Sequence, residues 1–395
     1  MNPTPFNVHI ETLDTPPIPR IHQAAQSYCG DKGPLIDLSQ AVPGYPPPDQ
    51  MLAALGAAAA NPAYLGYGDI EGESVLRNAY AQDLEHTHGS VVAVEQIMIT
   101  SGCNQAFVAA ALTVASPGQS ILLISPWYFN HESTLSMIGI HTEHFAVNAT
   151  DGFLPDPESL KAALTSDTRA VVIVSPNNPT GAIYPPALIQ QIAALCTSQG
   201  IWLILDETYQ DFLPDGNGPA HDLFSDVAKD HIIVLSSFSK SYCIPGHRLG
   251  VVVASVPAIT QMTKVMDNLQ ICAPRAPQVA LAECMVELRS WREENRIKIN
   301  KRAIVLQSAM QKLPGWHIEA IGAYFAYIQH PWPNRSSVEV AENLAKENGI
   351  VTLPGEFFGP SQERFLRVAF ANVESDVIAT LPKRILGCQL EKELP

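Results

Sequence analysis

Short apolar runs recur along the chain between residues 96 and 254, and helix-like segments separate most of them. Segments such as NQAFVAAALTVA and PPALIQQIAALCTSQ favour helices. The apolar runs are QIMIT (96–100), ILLIS (121–125), AVVIVS (170–175), IWLILD (201–206), HIIVLS (231–236) and LGVVVA (249–254). Because continuous β-branched runs are typical of strands buried on both faces, the alternation predicts an α/β domain with a mostly parallel, doubly wound sheet.

The pattern changes after about residue 286. A long amphipathic helix is predicted for SWREENRIKINKRAIVLQSAM, followed by strand-like AYFAYIQ, helix-like SVEVAENLAKENG and strand-like FLRVAFAN. This order predicts a smaller α+β domain. We therefore expect a large domain over residues 48–285 and a small C-terminal domain, residues 286–395, joined by an N-terminal arm, residues 1–47. Prolines in DTPPIPR and VPGYPPP predict that this arm is extended, with fixed turns and without a packed helix.

Length, charge and cysteine usage exclude several classes of protein. A chain of 395 residues is long enough for two domains, and its formal net charge of −15 argues against a nucleic-acid surface. No apolar stretch approaches the roughly 18 residues of a membrane span, and the N-terminus lacks the apolar core of a secretory signal. Seven scattered cysteines, among them Cys388, form no CxxC pair. We therefore expect a soluble cytoplasmic protein with no metal site, no disulfide framework and no membrane partner.

Polar groups follow five of the predicted strands at their carboxyl ends, where ligands bind in open α/β sheets. In chain order these groups are Ser101-Gly102-Cys103-Asn104, Trp127-Tyr128, Asn177-Asn178, Asp206 with Tyr209, and Ser237 with Lys240. Because parallel strands end at one edge of a sheet, we expect these side chains to line a single crevice.

Lys240, in VLSSFSKSYCIPGHRLG, has three interpretations. It could be the base of an S-x-x-K acylase with Ser237 as nucleophile, a lysine that forms a Schiff base with a carbonyl cofactor, or a solvated surface lysine. The acylase interpretation is disfavoured because the chain contains neither S-D-N nor K-T-G. A Schiff-base lysine must be a free amine, so burial or neighbouring charges must lower its pKa.

The groups around Lys240 correspond to the parts of pyridoxal 5′-phosphate. A buried Asp206 needs a cationic partner, which a pyridinium nitrogen supplies, and Tyr128 could stack on the flat ring. A phosphate would suit a helix start, two hydroxyls and a guanidinium, namely Gly102, Ser237, Ser239 and Arg248.

In its motifs the chain resembles the class I/II aminotransferases of fold type I over nearly its whole length. The matching stretches are SSFSKSYCIPGHRLG (S-x-[SA]-K-x(7)-R-x-G), SPNNPTG (N-P-T-G), DETYQDF (D-E-x-Y), SGCNQA (S-G-x-x-x-A), YLGYGDIEG (Y-x(4)-G), RFLRVAFAN (R-[VI]-x-x-A) and LPGEFFG (P-G-x-x-F-G). The resemblance implies a homodimer with shared active sites that moves an amino group from an L-amino acid to a 2-oxo acid by ping-pong kinetics.

The resemblance also implies a role for each matched residue. Lys240 would form the Schiff base and act as general base, with Asp206 on the ring nitrogen and Tyr209 on the 3-oxygen. Arg367 would bind the substrate's α-carboxylate. The other cofactor contacts would come from Gly102, Cys103, Asn104, Tyr128, Asn178, Ser237, Ser239 and Arg248, and from Tyr67, with Tyr64 as the alternative, reaching the phosphate of the partner subunit. Asn178 and Tyr128 would also border the substrate.

Substrate identity stays open at this point. Ala41 stands where the family commonly has glycine two residues before a proline, and its methyl group could narrow the substrate pocket. Arg275, in a loop expected at the dimer interface, indicates an acidic substrate or a partner's phosphate, or is an exposed loop residue. Candidate pocket residues that instead indicate apolar or aromatic substrates are Tyr45, Tyr324, Phe357 and Phe358.

The reaction type also has alternatives. Lyases, decarboxylases, cyclising synthases and oxidases that use pyridoxal phosphate share the same cofactor-holding motifs. A catalytically silent regulator is disfavoured, because the chain keeps Lys240 and carries no fused helix-turn-helix arm. His131 and the other histidines are interpreted as structural.

Overall fold

The computed structural model describes residues 6–226 and 231–386, so Cys388 lies outside the described residues. Within that part of the chain no helix is long and apolar enough to cross a membrane. The α-helices, in chain order, are α1 (Val8–Glu11), α2 (Pro17–Ala25), α3 (Asp49–Ala59), α4 (Ser74–His88), α5 (Cys103–Val114), α6 (Phe129–Met137), α7 (Pro157–Ala163), α8 (Pro186–Gln199), α9 (Phe238–Ser241), α10 (Val256–Leu269), α11 (Arg275–Cys284), α12 (Arg289–Met310), α13 (Ser337–Asn348), α14 (Ser375–Ile378) and α15 (Leu381–Ile385). The strands are β1 (Ile36–Asp37), β2 (Ile97–Thr100), β3 (Ser120–Ser125), β4 (His141–Ala146), β5 (Thr168–Val174), β6 (Trp202–Asp206), β7 (Ile232–Ser237), β8 (Gly250–Ala254), β9 (His317–Gly322), β10 (Phe325–Gln329), β11 (Ile350–Val351), β12 (Leu353–Pro354) and β13 (Phe365–Ala369).

The predicted apolar runs form one seven-stranded sheet in the order β2-β8-β7-β6-β5-β3-β4. Strand β8 runs antiparallel to both neighbours, and the remaining pairs are parallel. Along β3, Ile121 and Leu123 pack into the hydrophobic core on one face, whereas Leu122 and Ile124 pack into the core on the other. This alternation is what a strand covered by helices on both sides requires, and the mostly parallel α/β prediction is confirmed.

A second sheet contains four antiparallel strands in the order β12-β13-β10-β9. Its core includes apolar side chains of α12 and α13, such as Leu306 and Leu344. Strand β1 pairs with β11 in parallel, so the N-terminal segment is joined to this C-terminal part of the chain. The domain boundaries at residues 48 and 286 stay a prediction.

The prediction for the N-terminal arm was wrong over residues 17–25. This stretch forms α2, which packs against α13 and buries Ile21 and Ala25. Proline is compatible with the first turn of a helix, because the N–H groups there have no intrahelical acceptor and the fixed φ suits the helix. Pro17 and Pro19 occupy that turn, so they start the helix without breaking it.

Candidate active site

A cavity of about 220 Å³ lies at the carboxyl ends of strands β5, β6 and β7. It is lined by Cys103, Asn104, Tyr128, Val174, Asn178, Asp206, Thr208, Tyr209, Ser237, Ser239, Lys240, Pro245 and Arg248. The structure therefore brings together all the predicted cofactor residues except two, Gly102 and Tyr67. Gly102 is in close contact with the lining residue Arg248.

Lys240 lies in α9, a single helical turn that directly follows β7. Its Nζ donates a hydrogen bond to the carbonyl oxygen of Ala41, which places the N-terminal segment against the amine. Burial lowers the pKa of Lys240 to about 8, and the positive charges of Arg367 and Arg248 act in the same direction. A substantial fraction of the amine is therefore neutral near physiological pH, as nucleophilic chemistry requires.

Asp206 ends β6 and is buried at the bottom of the cavity. Burial favours its neutral form. However, His131 Nε2 lies 3.3 Å from Oδ2, and the Thr208 amide donates to Oδ1 at 3.0 Å. These interactions together outweigh burial and hold the pKa of Asp206 below its ordinary value. The result is a stable buried carboxylate, suited to a cationic ring nitrogen.

His131 and Thr208 are site residues that sequence reasoning missed. His131 follows Tyr128 by three residues, so both lie on one face at the start of α6, and their rings meet edge to face at 5.2 Å. Phe107 stacks on the other side of the imidazole, with ring centroids 4.1 Å apart. The position of Thr208 two residues after Asp206 is a recognisable turn signal, because aspartate often accepts from the second amide that follows it.

The turn that follows β2 approaches Arg248 closely. Gly102 has φ +87°, and a Cβ atom at this residue would lie 2.3 Å from Nη2 of Arg248. Arg248 itself has φ +54° and donates to the carbonyl oxygens of Pro245 at 3.0 Å and Ser101 at 3.4 Å. Gly250 is equally constrained, since its Cβ would lie 2.5 Å from the Gly102 carbonyl carbon. The glycine of the R-x-G motif, Gly250, is thus required because its Cα lies against the backbone of Gly102.

Two serines border the cavity next to Lys240. Ser237 is the N-cap of α9, and its Oγ accepts from the Ser239 amide at 3.2 Å. Cys103 opens α5 and also lines the cavity, and burial raises the pKa of its thiol, with the charge of Asp206 adding to this effect. Its side chain therefore stays neutral, and the contribution of this helix start is its backbone N–H groups.

Arg367 lies in β13, between two other strands of the small sheet, and only 2% of its surface is exposed. Nη1 donates to Asn178 Oδ1 at 3.0 Å, and Nη2 donates to the Ser39 carbonyl oxygen. The guanidinium lies between the rings of Phe325 and Phe358, 4.9 and 5.1 Å from their centroids. Burial lowers the pKa of Arg367 to about 10, so the group is still a cation at neutral pH.

Two tyrosines complete the walls around Asp206. The hydroxyl of Tyr128 accepts from Asn130 Nδ2 at 2.8 Å, and burial raises the pKa of this phenol. Tyr209 packs against Phe325 with centroids 5.0 Å apart, and burial also raises its pKa well above the ordinary value. Both phenols therefore stay protonated and can donate a hydrogen bond to an oxygen atom.

The balance of charge at the cavity is positive. Lys240 and Arg248 line it, and Arg367 lies behind its wall, bonded to the lining residue Asn178; within residues 6–226 and 231–386 the hydrogen bonds of these three cations go to carbonyl or amide oxygens, without a carboxylate. Asp206 supplies one negative charge and needs a cationic partner of its own. Arg367 is buried and Lys240 half-buried, whereas Arg248 is exposed, and a buried cation is costly unless an opposite charge compensates it. These residues fit a molecule that carries a phosphate and a protonated ring nitrogen, together with a substrate carboxylate.

Tyr67 and Arg275 lie away from the cavity of their own chain. Tyr67 is 79% exposed, so most of its side chain projects into solvent. Arg275 is the first residue of α11 and forms a salt bridge with Glu73, with Nε and Oε1 2.6 Å apart. The proposed role of Arg275 in binding an anion therefore loses its support, because its guanidinium is already paired.

Of the four candidate pocket residues, Phe358 contacts Arg367 directly and Tyr324 is fully buried beside Tyr209, with ring centroids 5.4 Å apart. Tyr45 packs edge to face on Trp291 at 5.8 Å. Phe357 lines a separate groove, and it is therefore not part of the same wall.

The doubly wound sheet, the lysine after β7 and the aspartate at the end of β6 define an enzyme of the fold-type-I pyridoxal-phosphate class. The aminotransferase class I and II family matches residues 33–385, so the chain belongs to this family. Its members use pyridoxal 5′-phosphate and transfer amino groups between amino acids and 2-oxo acids, and the predicted activity is confirmed at this level.

Similar proteins include an aromatic aminotransferase of Arabidopsis thaliana, 30% identical over 86% of each chain, and an arginine–pyruvate transaminase of Pseudomonas aeruginosa, 28% identical over 82% of each. Two solved structures share the fold. An aminotransferase from Mycobacterium tuberculosis has a TM-score of 0.89 at 24% identity over 100% of both chains. The Thermus thermophilus aspartate aminotransferase with maleate has a TM-score of 0.88 at 23% identity over 97% of this chain and 99% of the other.

Proposed function

We propose that the cavity around Lys240 is the cofactor and substrate site of this aminotransferase, and that Lys240, Asp206 and Tyr209 are its catalytic residues. The observation that carries the proposal is that two cations without carboxylate partners, Lys240 and Arg248, line one cavity with a buried carboxylate, while Arg367 reaches the same cavity through Asn178. When bound, pyridoxal 5′-phosphate supplies an aldehyde that reacts with an amine and a ring that stabilises negative charge at the substrate's α-carbon.

Different residues of the chain would hold the phosphate and the ring of the cofactor. Arg248 and the start of α5 would hold the phosphate, with hydroxyl donors from the two serines beside Lys240. Asp206 would hold the ring nitrogen in its protonated form, because its carboxylate is stable in this environment. Tyr209 and Asn178 would donate to the 3-oxygen, which orients the ring.

Proton transfer is assigned to Lys240. With a pKa near 8, its neutral amine can accept the substrate's α-proton and return a proton to the cofactor without a large energetic penalty. Arg367 would bind the substrate's carboxylate through two parallel N–H groups, which fixes the α-carbon relative to the amine. Arg367 would exchange its bonds to Ser39 and Asn178 for bonds to that carboxylate.

We propose that the amino donor has an aromatic or large apolar side chain. Tyr209 lines the cavity, with Tyr324 packed against its ring and Phe358 against Arg367. Arg275 is paired with Glu73. The similarity to an aromatic aminotransferase supports the same class.

The assembly and the location of the enzyme belong to the same proposal. We expect a homodimer, because Tyr67 and Leu65 are 79% and 78% exposed on the segment that would reach a partner's phosphate. A cytoplasmic location is supported by the six described cysteines, which are all unpaired. A large domain over residues 48–285 and a small domain formed by the rest of the chain would close over the cavity from two sides.

Half-reactions test the function. Purified holoenzyme mixed with tyrosine or phenylalanine is expected to lose the absorbance of its lysine adduct and gain that of pyridoxamine phosphate, and a 2-oxo acid should reverse the change. Aspartate and arginine are the comparison donors. Release of ammonia with pyruvate would instead establish a lyase, and oxygen consumption an oxidase. If borohydride traps no adduct on Lys240, the proposal is wrong. Lys240→Ala is the control, because it lacks the amine that would form the adduct.

A further inference from the structure

The segment 61–68 connects α3 to α4 and carries two large exposed side chains, Leu65 and Tyr67. It contains one short helical turn, Pro62–Tyr64, which Asn61 caps through its side chain. The segment belongs to none of the sheets of the described chain, so side-chain contacts add to the local backbone hydrogen bonds of Tyr64 and Leu65 in defining its path.

Arg275 provides most of these contacts. Its Nη1 donates to the carbonyl oxygens of Ala63 at 3.1 Å, Gly66 at 3.3 Å and Tyr67 at 3.5 Å. Its guanidinium carbon lies 5.6 Å from the centroid of the Tyr64 ring. One planar group thus binds three backbone positions of the segment and covers one of its rings.

The opposite edge of the guanidinium is bound to Glu73, at the start of α4. Nε lies 2.6 Å from Oε1 and Nη2 lies 3.4 Å from Oε2. The Glu73 amide in turn donates to Gln278 Oε1 at 2.7 Å, on the same helix as Arg275. The contact therefore joins three elements: the segment, the start of α4 and α11.

The end of the segment is packed tightly against this ion pair. A Cβ atom on Gly68 would lie 2.5 Å from Oε1 of Glu73 and 2.8 Å from Nε of Arg275. The Gly68 amide also donates to Cys272 Sγ at 3.4 Å. The backbone on both sides of Tyr67 is thereby fixed, while the Tyr67 side chain stays exposed.

We infer that Arg275 is a positioning residue that holds Tyr67 in place for the cofactor site of the partner subunit. The inference rests on the proposed function, which assigns Tyr67 to the partner's phosphate. Arg275 itself would contact neither cofactor nor substrate, because Nη1, Nε and Nη2 are all bonded within its own chain. A segment held at one conformation loses less conformational freedom when a ligand binds, so its tyrosine binds the phosphate more tightly.

A double-mutant cycle tests the inference with cofactor affinity as the readout. Apoprotein is titrated with pyridoxal 5′-phosphate for the wild type, Tyr67→Phe, Arg275→Gln and the double variant. Loss of one hydrogen bond to a charged group corresponds to a dissociation constant raised about tenfold or more, which we expect for Tyr67→Phe. Arg275→Gln should give a similar increase, and the double variant should match Tyr67→Phe alone, because Arg275 acts through Tyr67.

Arg169→Gln is the matched control. Like Arg275, Arg169 donates to backbone carbonyl oxygens, those of Ser166 and Thr168, but it lies at the amino end of β5, whereas the cavity lies at the carboxyl end. Its cofactor affinity should equal that of the wild type. Sedimentation and thermal unfolding of each variant show whether the dimer and the fold persist.

Hybrid dimers separate an effect on the partner from an effect within the chain. In a hybrid of an Arg275→Gln chain with a Lys240→Ala chain, the one site that retains Lys240 faces a Tyr67 held by an intact Arg275. That site should bind the cofactor as tightly as the wild type. In a hybrid of a wild-type chain with a chain carrying both substitutions, the retained lysine faces the released Tyr67, and affinity should fall about tenfold.

Equal cofactor affinity in the two hybrids would overturn the inference. So would a double variant whose dissociation constant is raised by the product of the two single increases. Those results differ from a failure of the proposed function, in which the wild-type protein itself would form no borohydride-stable adduct on Lys240. If Arg275→Gln prevents dimer formation, Arg275→Lys replaces it, since one ammonium cannot reach three carbonyl oxygens and Glu73 together. The same contrast between hybrids is then expected.

Discussion

Gly102→Ala is the substitution whose effect the structure defines most closely. Gly102 has φ 87° and ψ 163°, a region that is almost exclusive to glycine, so alanine costs about 1–3 kcal/mol in backbone strain. The new methyl group would also lie 2.3 Å from Nη2 of Arg248 and must displace that side chain. Loss of one charge-assisted bond to phosphate costs about 1.5–3 kcal/mol, which corresponds to roughly 10- to 150-fold weaker binding of pyridoxal 5′-phosphate.

Gly118→Ala separates the two effects. Gly118 has φ +86°, and a Cβ atom there meets nothing within 4 Å. Urea unfolding of the apoproteins should show both variants destabilised by the backbone strain, whereas cofactor titration should show weakened binding for Gly102→Ala alone. A dissociation constant for Gly102→Ala within about twofold of the wild type, or an equal loss of affinity in Gly118→Ala, would contradict the effect of the new methyl group on Arg248.

Three further outcomes are expected from the site. Arg367→Lys removes the paired N–H geometry, so steady-state kinetics should show KM for the amino donor raised about 10- to 100-fold with cofactor affinity unchanged; an unchanged KM would contradict the assignment. Burial lowers the pKa of Lys240 to about 8, so amine-specific labelling of Lys240 in the apoprotein should reach half its limiting rate near pH 8, against about 10.4 for a model peptide. Because the unfolded state then binds more protons between these two values, stability of the apoprotein should rise with pH across that window. His131→Phe keeps the stacking on Phe107 but removes a hydrogen bond to the buried Asp206 carboxylate, so kcat should fall about tenfold or more and the apoprotein should lose about 1–3 kcal/mol of stability in urea unfolding; retention of full kcat would show that Thr208 alone supports the carboxylate.

The residues that could be predicted from the sequence share one property: each follows a buried strand at short, fixed spacing. Asp206, Ser237 and Lys240 come directly after apolar runs, and the carboxyl ends of the strands then bring them to one cavity. Their assembly requires only the sheet topology, which the alternating pattern of strands and helices predicts. Arg367 could not be placed by this argument, since it comes from the second sheet, and its assignment depended on the resemblance.

The features that were missed depend on contacts between distant parts of the chain. Arg275 and Glu73 are separated by 202 residues, and no local pattern indicates that they pair. His131, in α6, was interpreted as structural because its partner, Asp206, comes from a distant part of the chain, at the end of β6. The helix α2 was missed for a different reason: prolines predict an extended arm when their position within the first helical turn is not considered.

An acidic chain can still present a positive cavity, because the cations there are compensated by dipoles and not by carboxylates. The chain has a formal net charge of −15, yet Lys240 donates to the carbonyl oxygen of Ala41 and Arg367 to that of Ser39. A carbonyl oxygen satisfies a donor's hydrogen bond but carries only a partial charge, so most of the positive charge is left to act on a ligand. A carboxylate at either position would pair with the cation and compete directly with phosphate or substrate. The carbonyl groups of Ser39 and Ala41 thus satisfy these donors when no anion is bound, and they bind the donors weakly enough for an anion to replace them. This explains why, in the described part of the chain, Lys240 and Arg367 donate to carbonyl oxygens of this segment and not to carboxylates.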